Sequence, residues 1–121
     1  MTTPEEVCRR FVDGIAARDY RAIEAQLAPE MKFRGLTPPA LREAATGAGA
    51  SAWFEKWFSD ATEYAMVASS VEPISDRVRF SYRLELVEDG EPIVMEQNGF
   101  CAVEGDRITV LDLVCSGSRP R

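Results

Sequence analysis

The stretch Arg77-Val78-Arg79-Phe80-Ser81-Tyr82-Arg83-Leu84-Glu85-Leu86-Val87 alternates without a break. Val78, Phe80, Tyr82, Leu84 and Leu86 fall on one side of an extended chain, and Arg79, Ser81, Arg83 and Glu85 fall on the other. A period of two with one apolar side marks a strand whose sheet is covered on one face. The same period runs through Thr62 to Glu72, Pro92 to Val103 and Arg107 to Ser116. The connections Pro73-Ile74-Ser75-Asp76, Glu88-Asp89-Gly90-Glu91 and Glu104-Gly105-Asp106 are short and rich in turn formers, so consecutive strands are expected to pair antiparallel as a meander.

Turn chemistry then sets the register. A two-residue turn at Asp89-Gly90 puts Leu84 opposite Met95, Tyr82 opposite Gln97, Phe80 opposite Gly99 and Val78 opposite Cys101, with Arg83 facing Glu96 on the outer side. The last hairpin admits a two-residue loop at Gly105-Asp106 or a three-residue loop at Glu104-Gly105-Asp106, and a slip of one residue reverses every side chain. The three-residue loop is preferred. It turns Thr109, Leu111, Leu113 and Cys115 inward and leaves Asp112 outside with Arg79, Ser81, Arg83, Glu96 and Asn98, whereas the alternative buries Asp112 beside Phe80 without a partner.

Upstream the period becomes helical. Thr3, Pro4 and Glu6 make a helix start, and Val7, Phe11 and Ile15 recur at a spacing of four with Cys8 and Val12 beside them. Arg18-Asp19 ends this helix, and Asp19 caps a shorter one in which Tyr20, Ile23 and Leu27 form the buried side before Pro29. Met31 to Leu36 suits a short edge strand that Thr37-Pro38-Pro39 stops. Ala40 to Ala48 reads equally as a helical turn or a loop. Ala50 to Phe58 is a third helix with Trp53, Phe54, Trp57 and Phe58 on a broad aromatic face. The tail from Gly117 to Arg121 reads as frayed.

At 121 residues with 45% apolar content, the chain is expected to form one α+β domain over its whole length, helices packed on a curved antiparallel sheet. The net charge of −6, without a basic cluster, argues against nucleic acid or an anionic membrane as partner. Met-Thr-Thr-Pro-Glu-Glu lacks the features of a secretory signal, and three widely spaced cysteines suit free thiols, so a cytoplasmic location is expected. The sequence contains no histidine, which removes Ser-His and Cys-His nucleophile systems and, without a Cys-x-x-Cys pair, argues against zinc. No phosphate loop or dinucleotide fingerprint is present, and no cofactor is expected.

The order of helices, short strand, helix and long meander, with Arg10-Phe11-Val12-Asp13-Gly14-Ile15-Ala16-Ala17-Arg18-Asp19-Tyr20-Arg21-Ala22-Ile23, Glu85-Leu86-Val87-Glu88-Asp89-Gly90-Glu91-Pro92 and Asp106-Arg107-Ile108 as its local pieces, resembles the nuclear transport factor 2-like superfamily, including SnoaL-like proteins and ketosteroid isomerases. The resemblance implies a cone-shaped fold with a pocket between helices and sheet. It does not imply one activity, because this superfamily hosts isomerases, cyclases, epoxide hydrolases, dehydratases and binding modules. Position by position, the isomerase tyrosine matches Phe11, its aspartate base matches Gly35, and its second acid matches Gly99 or Phe100. The aspartate expected on the final strand of the epoxide hydrolases falls at Leu113. No catalytic residue is therefore assigned.

The residues expected around a pocket for a small apolar ligand are Tyr82, Gln97, Cys115, Trp53, Trp57, Phe11, Phe80 and Leu113. Tyr82 and Gln97 are its polar members, and each has an alternative reading as a core residue satisfied by a neighbour. Trp53 and Trp57 are either stacking platforms or ordinary core. Cys101 and Cys115 are candidate nucleophiles or small buried hydrophobes, with no Lys or Arg on their face to activate a thiol. Arg34, beside Phe33, is either an anion-attracting residue at the pocket mouth or a solvated edge residue. The outward face, where Phe100, Val110 and Val114 lie among charges, is a candidate homodimer surface or a solvated one.

Overall fold

The chain enters its first helix, α1 (Pro4–Ala17), through the expected cap: the Thr3 hydroxyl accepts a hydrogen bond from the Glu6 amide at 3.1 Å, and Pro4 occupies the first turn, where no donor is needed. The computed structural model describes residues 2–121. Arg18 ends α1 in the left-handed conformation, and Asp19 caps α2 (Tyr20–Ala25) by accepting from the Ala22 amide. Then come β1 (Leu27–Thr37), β2 (Ala40–Thr46), α3 (Gly47–Phe58), β3 (Glu63–Ile74), β4 (Arg77–Glu88), β5 (Glu91–Glu104), β6 (Arg107–Cys115) and β7 (Arg119–Pro120).

Among the described residues the strands make one sheet in the order β2-β1-β6-β5-β4-β3, with β7 added to β5. The β3-β4-β5-β6 part is the antiparallel meander, and β4 pairs with β5 as the Asp89-Gly90 turn requires: Leu84 with Met95, Tyr82 with Gln97, Phe80 with Gly99, Val78 with Cys101. Asp89 and Gly90 both have positive φ, the geometry that two-residue hairpins demand. β1 joins the sheet by lying parallel to β6.

Five expectations change. The segment after Pro38-Pro39 is neither helical turn nor loop but the edge strand β2, because the prolines form the turn of a β1-β2 hairpin in which Thr37 pairs with Ala40, and a turn needs no proline donor. β1 starts at Leu27, earlier than Met31, so Leu27 packs from a strand and not from α2. α3 starts at Gly47, earlier than Ala50, and Thr46 caps it by accepting from the Gly49 amide. The last hairpin closes on the two-residue turn, Glu104 opposite Arg107. One extra residue in β6 at Thr109, a bulge, then restores the other phase, so Ile108, Leu111, Leu113 and Cys115 are buried while Thr109 is half-exposed. The tail is not free: Arg119 pairs with Val94 and Pro120 with Ile93.

The helices cover one face of the sheet. Phe11 of α1 packs edge-on against Phe54 of α3 and Phe80 of β4, each at 5.5 Å between ring centroids, and these fully buried rings centre the core. The opposite face stays open and carries the ion pairs Arg34–Asp112, Arg83–Glu96 and Arg79–Glu72. Arg34 therefore points to the outer face and not to a pocket mouth.

Candidate functional site

Between α3, the β1-β2 hairpin and the far end of β5 and β6, the core stops short and leaves a cavity of about 330 Å³, open on one side. Its floor is Met95, Gln97 and Cys115 of the sheet; Trp53, Lys56 and Trp57 of α3 form one wall; Thr37, Pro38 and Arg42 of the hairpin form another, and Gly117 and Ser118 run past before β7. Glu88, at the end of β4, also reaches it. The wall is apolar at its base and charged at its rim.

Gln97 is the polar group at the base. It is 1% exposed, and the buried Tyr82 hydroxyl, on the neighbouring strand, donates to its Oε1. The Nε2 amino group has no protein acceptor among the described residues, yet it is not sealed off, so its two donors are available at the cavity floor. Burial first, and then the nearby Tyr64, Cys115 and Cys8, holds the Tyr82 phenol well above its ordinary value, which keeps the proton that fixes the Gln97 orientation.

Trp53 is held by its indole N–H, which donates to the Glu43 carbonyl at 3.1 Å, and it stacks on Trp57. Arg42 and Lys56 both lie over the Trp53 ring, at 5.3 and 5.2 Å from its centroid. Glu88 has its carboxyl pushed above the usual range by partial burial and then by Asp89 and Asp60. It is six residues along β4 from Tyr82, roughly 20 Å of extended strand.

Of the eight expected pocket residues, the structure brings Gln97, Cys115, Trp53 and Trp57 to the wall, with Tyr82 directly behind Gln97. Phe11 and Phe80 lie in the filled core away from the cavity wall. Leu113 is also buried, beneath Gly35. Of the positions matched to isomerase acids, the two glycines are packed shut and Phe100 lies exposed on the outer face. A Cβ on Gly35 would meet Phe33 at 3.0 Å and Leu113 and Trp57 at 3.4 Å, and one on Gly99 would meet the Asp112 carbonyl oxygen at 2.1 Å.

Sequence reasoning missed Arg42, Lys56 and Glu88. Lys56 lies three residues after Trp53, one helical turn on, a spacing that does signal a shared face. Arg42 was hidden because its segment was not recognised as a strand, although Ala40, Arg42 and Ala44 alternate on its less exposed side. Arg42 reaches the cavity from the edge strand β2 and Lys56 from α3. Elsewhere, Cys101 of β5 beside Cys8 of α1, and then burial, raise the Cys8 thiol. Among the described residues no helix is long and apolar enough to cross a membrane.

A helix-covered cone of mainly antiparallel sheet with a cavity at its open end is the nuclear transport factor 2-like architecture. Within it the chain belongs to the SnoaL-like domain family, whose model matches residues 8–111. A nuclear transport factor 2-like protein from Burkholderia thailandensis superposes with a TM-score of 0.80 at 15% identity, over 96% of this chain and 92% of its own. A proposed polyketide cyclase from Pseudomonas putida gives 0.75 at 14% identity over 93% and 91%, and an LEH-like epoxide hydrolase of M. tuberculosis gives 0.70 at 11% over 93% and 82%. At such identities these neighbours show the shared fold. No curated protein sequence matches the chain.

Proposed function

We propose that the protein binds a small organic molecule in the cavity floored by Gln97, with an oxygen acceptor of the ligand on Gln97 Nε2 and its apolar body against Met95, Trp57 and Trp53. The observation that carries this reading is the Gln97 amide: it is buried, oriented by Tyr82, and still has donors to give. A donor already oriented at the floor of a largely apolar cavity can exchange water for a ligand carbonyl without reordering the protein. The polyketide cyclase and epoxide hydrolase among the structural neighbours support a small organic molecule as the occupant. No chemical step is assigned.

Both tryptophans of the chain line the cavity, so intrinsic fluorescence reports on it directly. Titration with benzylacetone, a neutral aromatic ketone, is expected to saturate, and Gln97→Leu to weaken it by about tenfold, one hydrogen bond's worth. Equal affinity in Gln97→Leu would remove the amide from the site.

A second reading is favoured by the outer sheet face, where Leu36, Phe100 and Val114 are 48%, 45% and 54% exposed around a shallow groove rimmed by Arg34 and Asp112. Apolar residues ringed by both charge signs suit self-association of two copies about a two-fold axis. Phe100→Asp should shift a dimer to monomer in sedimentation velocity; a wild-type monomer ends this reading.

A further inference from the structure

Arg42 and Lys56 are an unresolved electrostatic feature of the cavity. Both lie over one ring, that of Trp53, at 5.3 and 5.2 Å. Neither is among the ion pairs of the described residues, and the Arg42 side chain is held by a hydrogen bond from its Nε to the Thr37 hydroxyl, a neutral group. Two like charges gathered about one aromatic ring at a cavity rim, in a protein of net charge −6, create a local positive potential against the overall sign. The third charged lining residue, Glu88, opposes them only in part.

The register gives the distance between this rim and the floor. Gln97 pairs with Cys115 across β5 and β6, and Leu36 is level with Val114 across β1 and β6, which brings Thr37 beside Cys115. Gln97 and Thr37 are therefore two strand spacings apart, about 10 Å. Arg42 is tied to Thr37, so a ligand that meets both the Gln97 amide and the guanidinium spans about that length.

Resting on the cavity reading above, we propose that the ligand is an anionic amphipath: an apolar body with a carbonyl-type acceptor on Gln97 and a carboxylate held by Arg42 and Lys56. The carboxylate completes two unpaired cations, and the planar guanidinium suits it in a bidentate pair. Trp53 positions both cations and covers the ligand's apolar side.

The test compares benzoylpropionate, an aryl ketone bearing a carboxylate, with its neutral amide benzoylpropionamide, by tryptophan fluorescence on the intact protein at low ionic strength. The carboxylate is expected to bind roughly tenfold tighter than the amide, with the ratio shrinking as salt is raised. In the double variant Arg42→Gln/Lys56→Gln the ratio should fall to about one, and in Glu88→Gln it should rise, because an opposing charge is removed. Equal binding of the two compounds by the wild type overturns the anion assignment and leaves the cavity reading standing. A carboxylate preference that persists in the double variant also overturns it, since other groups would then read the charge. If neither compound binds, while circular dichroism shows a folded protein, both readings fall together.

Discussion

Replacing Tyr82 by Phe removes one oxygen and no carbon, and the structure states what that oxygen does: it donates to Gln97 Oε1 at a point where both residues are buried. The variant loses a hydrogen bond and leaves a buried carbonyl oxygen without a donor, which together cost about 2 kcal/mol. Gln97→Leu is the mirror case. It leaves the Tyr82 hydroxyl without its acceptor, and because the amide's other end faces an open cavity, the cost is about 1–2 kcal/mol. In the double variant both polar groups are gone and the shape is nearly kept, so the loss should be about 1 kcal/mol, less than the sum of the single losses by about 2 kcal/mol. Urea unfolding followed by far-UV circular dichroism measures all four proteins, and a common slope against urea shows that the unfolded states are comparable. A double variant whose loss equals the sum of the singles would refute the account, since it would mean that the two side chains do not depend on each other and that Gln97 is not oriented by Tyr82.

Three further outcomes follow from the geometry. The Tyr82 phenol has its folded value raised by burial above about 10, the unfolded value, so its contribution is fully present below pH 10 and is lost as pH rises; stability should fall by about 1.4 kcal/mol per pH unit per such phenol there, and Tyr82→Phe should remove one phenol's share in urea titrations against pH. Gly99→Ala should destabilise by about 3 kcal/mol, because its Cβ would stand 2.1 Å from a backbone oxygen of the next strand, which cannot swing aside; a loss under about 1 kcal/mol would show that β6 is free to shift. Arg18 donates to the Phe58 and Ala61 carbonyls at 3.0 and 2.9 Å and has φ of 52°. Arg18→Ala should therefore cost about 2 kcal/mol, and Arg18→Gly about 1 kcal/mol less, because glycine accepts that φ freely; equal thermal unfolding of the two variants would contradict the second part.

The meander was legible because its signals are local and agree. Asp89-Gly90 fixes a turn, the turn fixes a register, and the register puts Tyr82 against Gln97, so the polar pair at the cavity floor follows from eleven alternating residues and a dipeptide. Strand β2 was not legible, because an alanine-rich stretch has no strand preference of its own and acquires one by lying against β1. The last hairpin was legible in its outcome and not in its device. Keeping Asp112 out of the core is an energetic demand that the sequence displays, whereas a bulge at Thr109 is one of several ways to meet it. The charged rim was the least legible part. Arg42, Lys56 and Glu88 come from a hairpin, a helix and a strand end, and their meeting is a property of the assembled sheet with no counterpart in spacing.

The parallel pairing of β1 with β6 has a kinetic consequence. Each meander hairpin closes a short loop, but Arg34 and Asp112 meet across 78 residues, so their loop closes at a greater entropic cost and offers its reward later. The meander should therefore assemble first and β1, bringing β2 with it, should dock last. Thr37 and Arg42 arrive with that final step, so in refolding experiments the tryptophans should reach their native emission after the strands have formed, and the protein should become able to hold a ligand only at the end of folding.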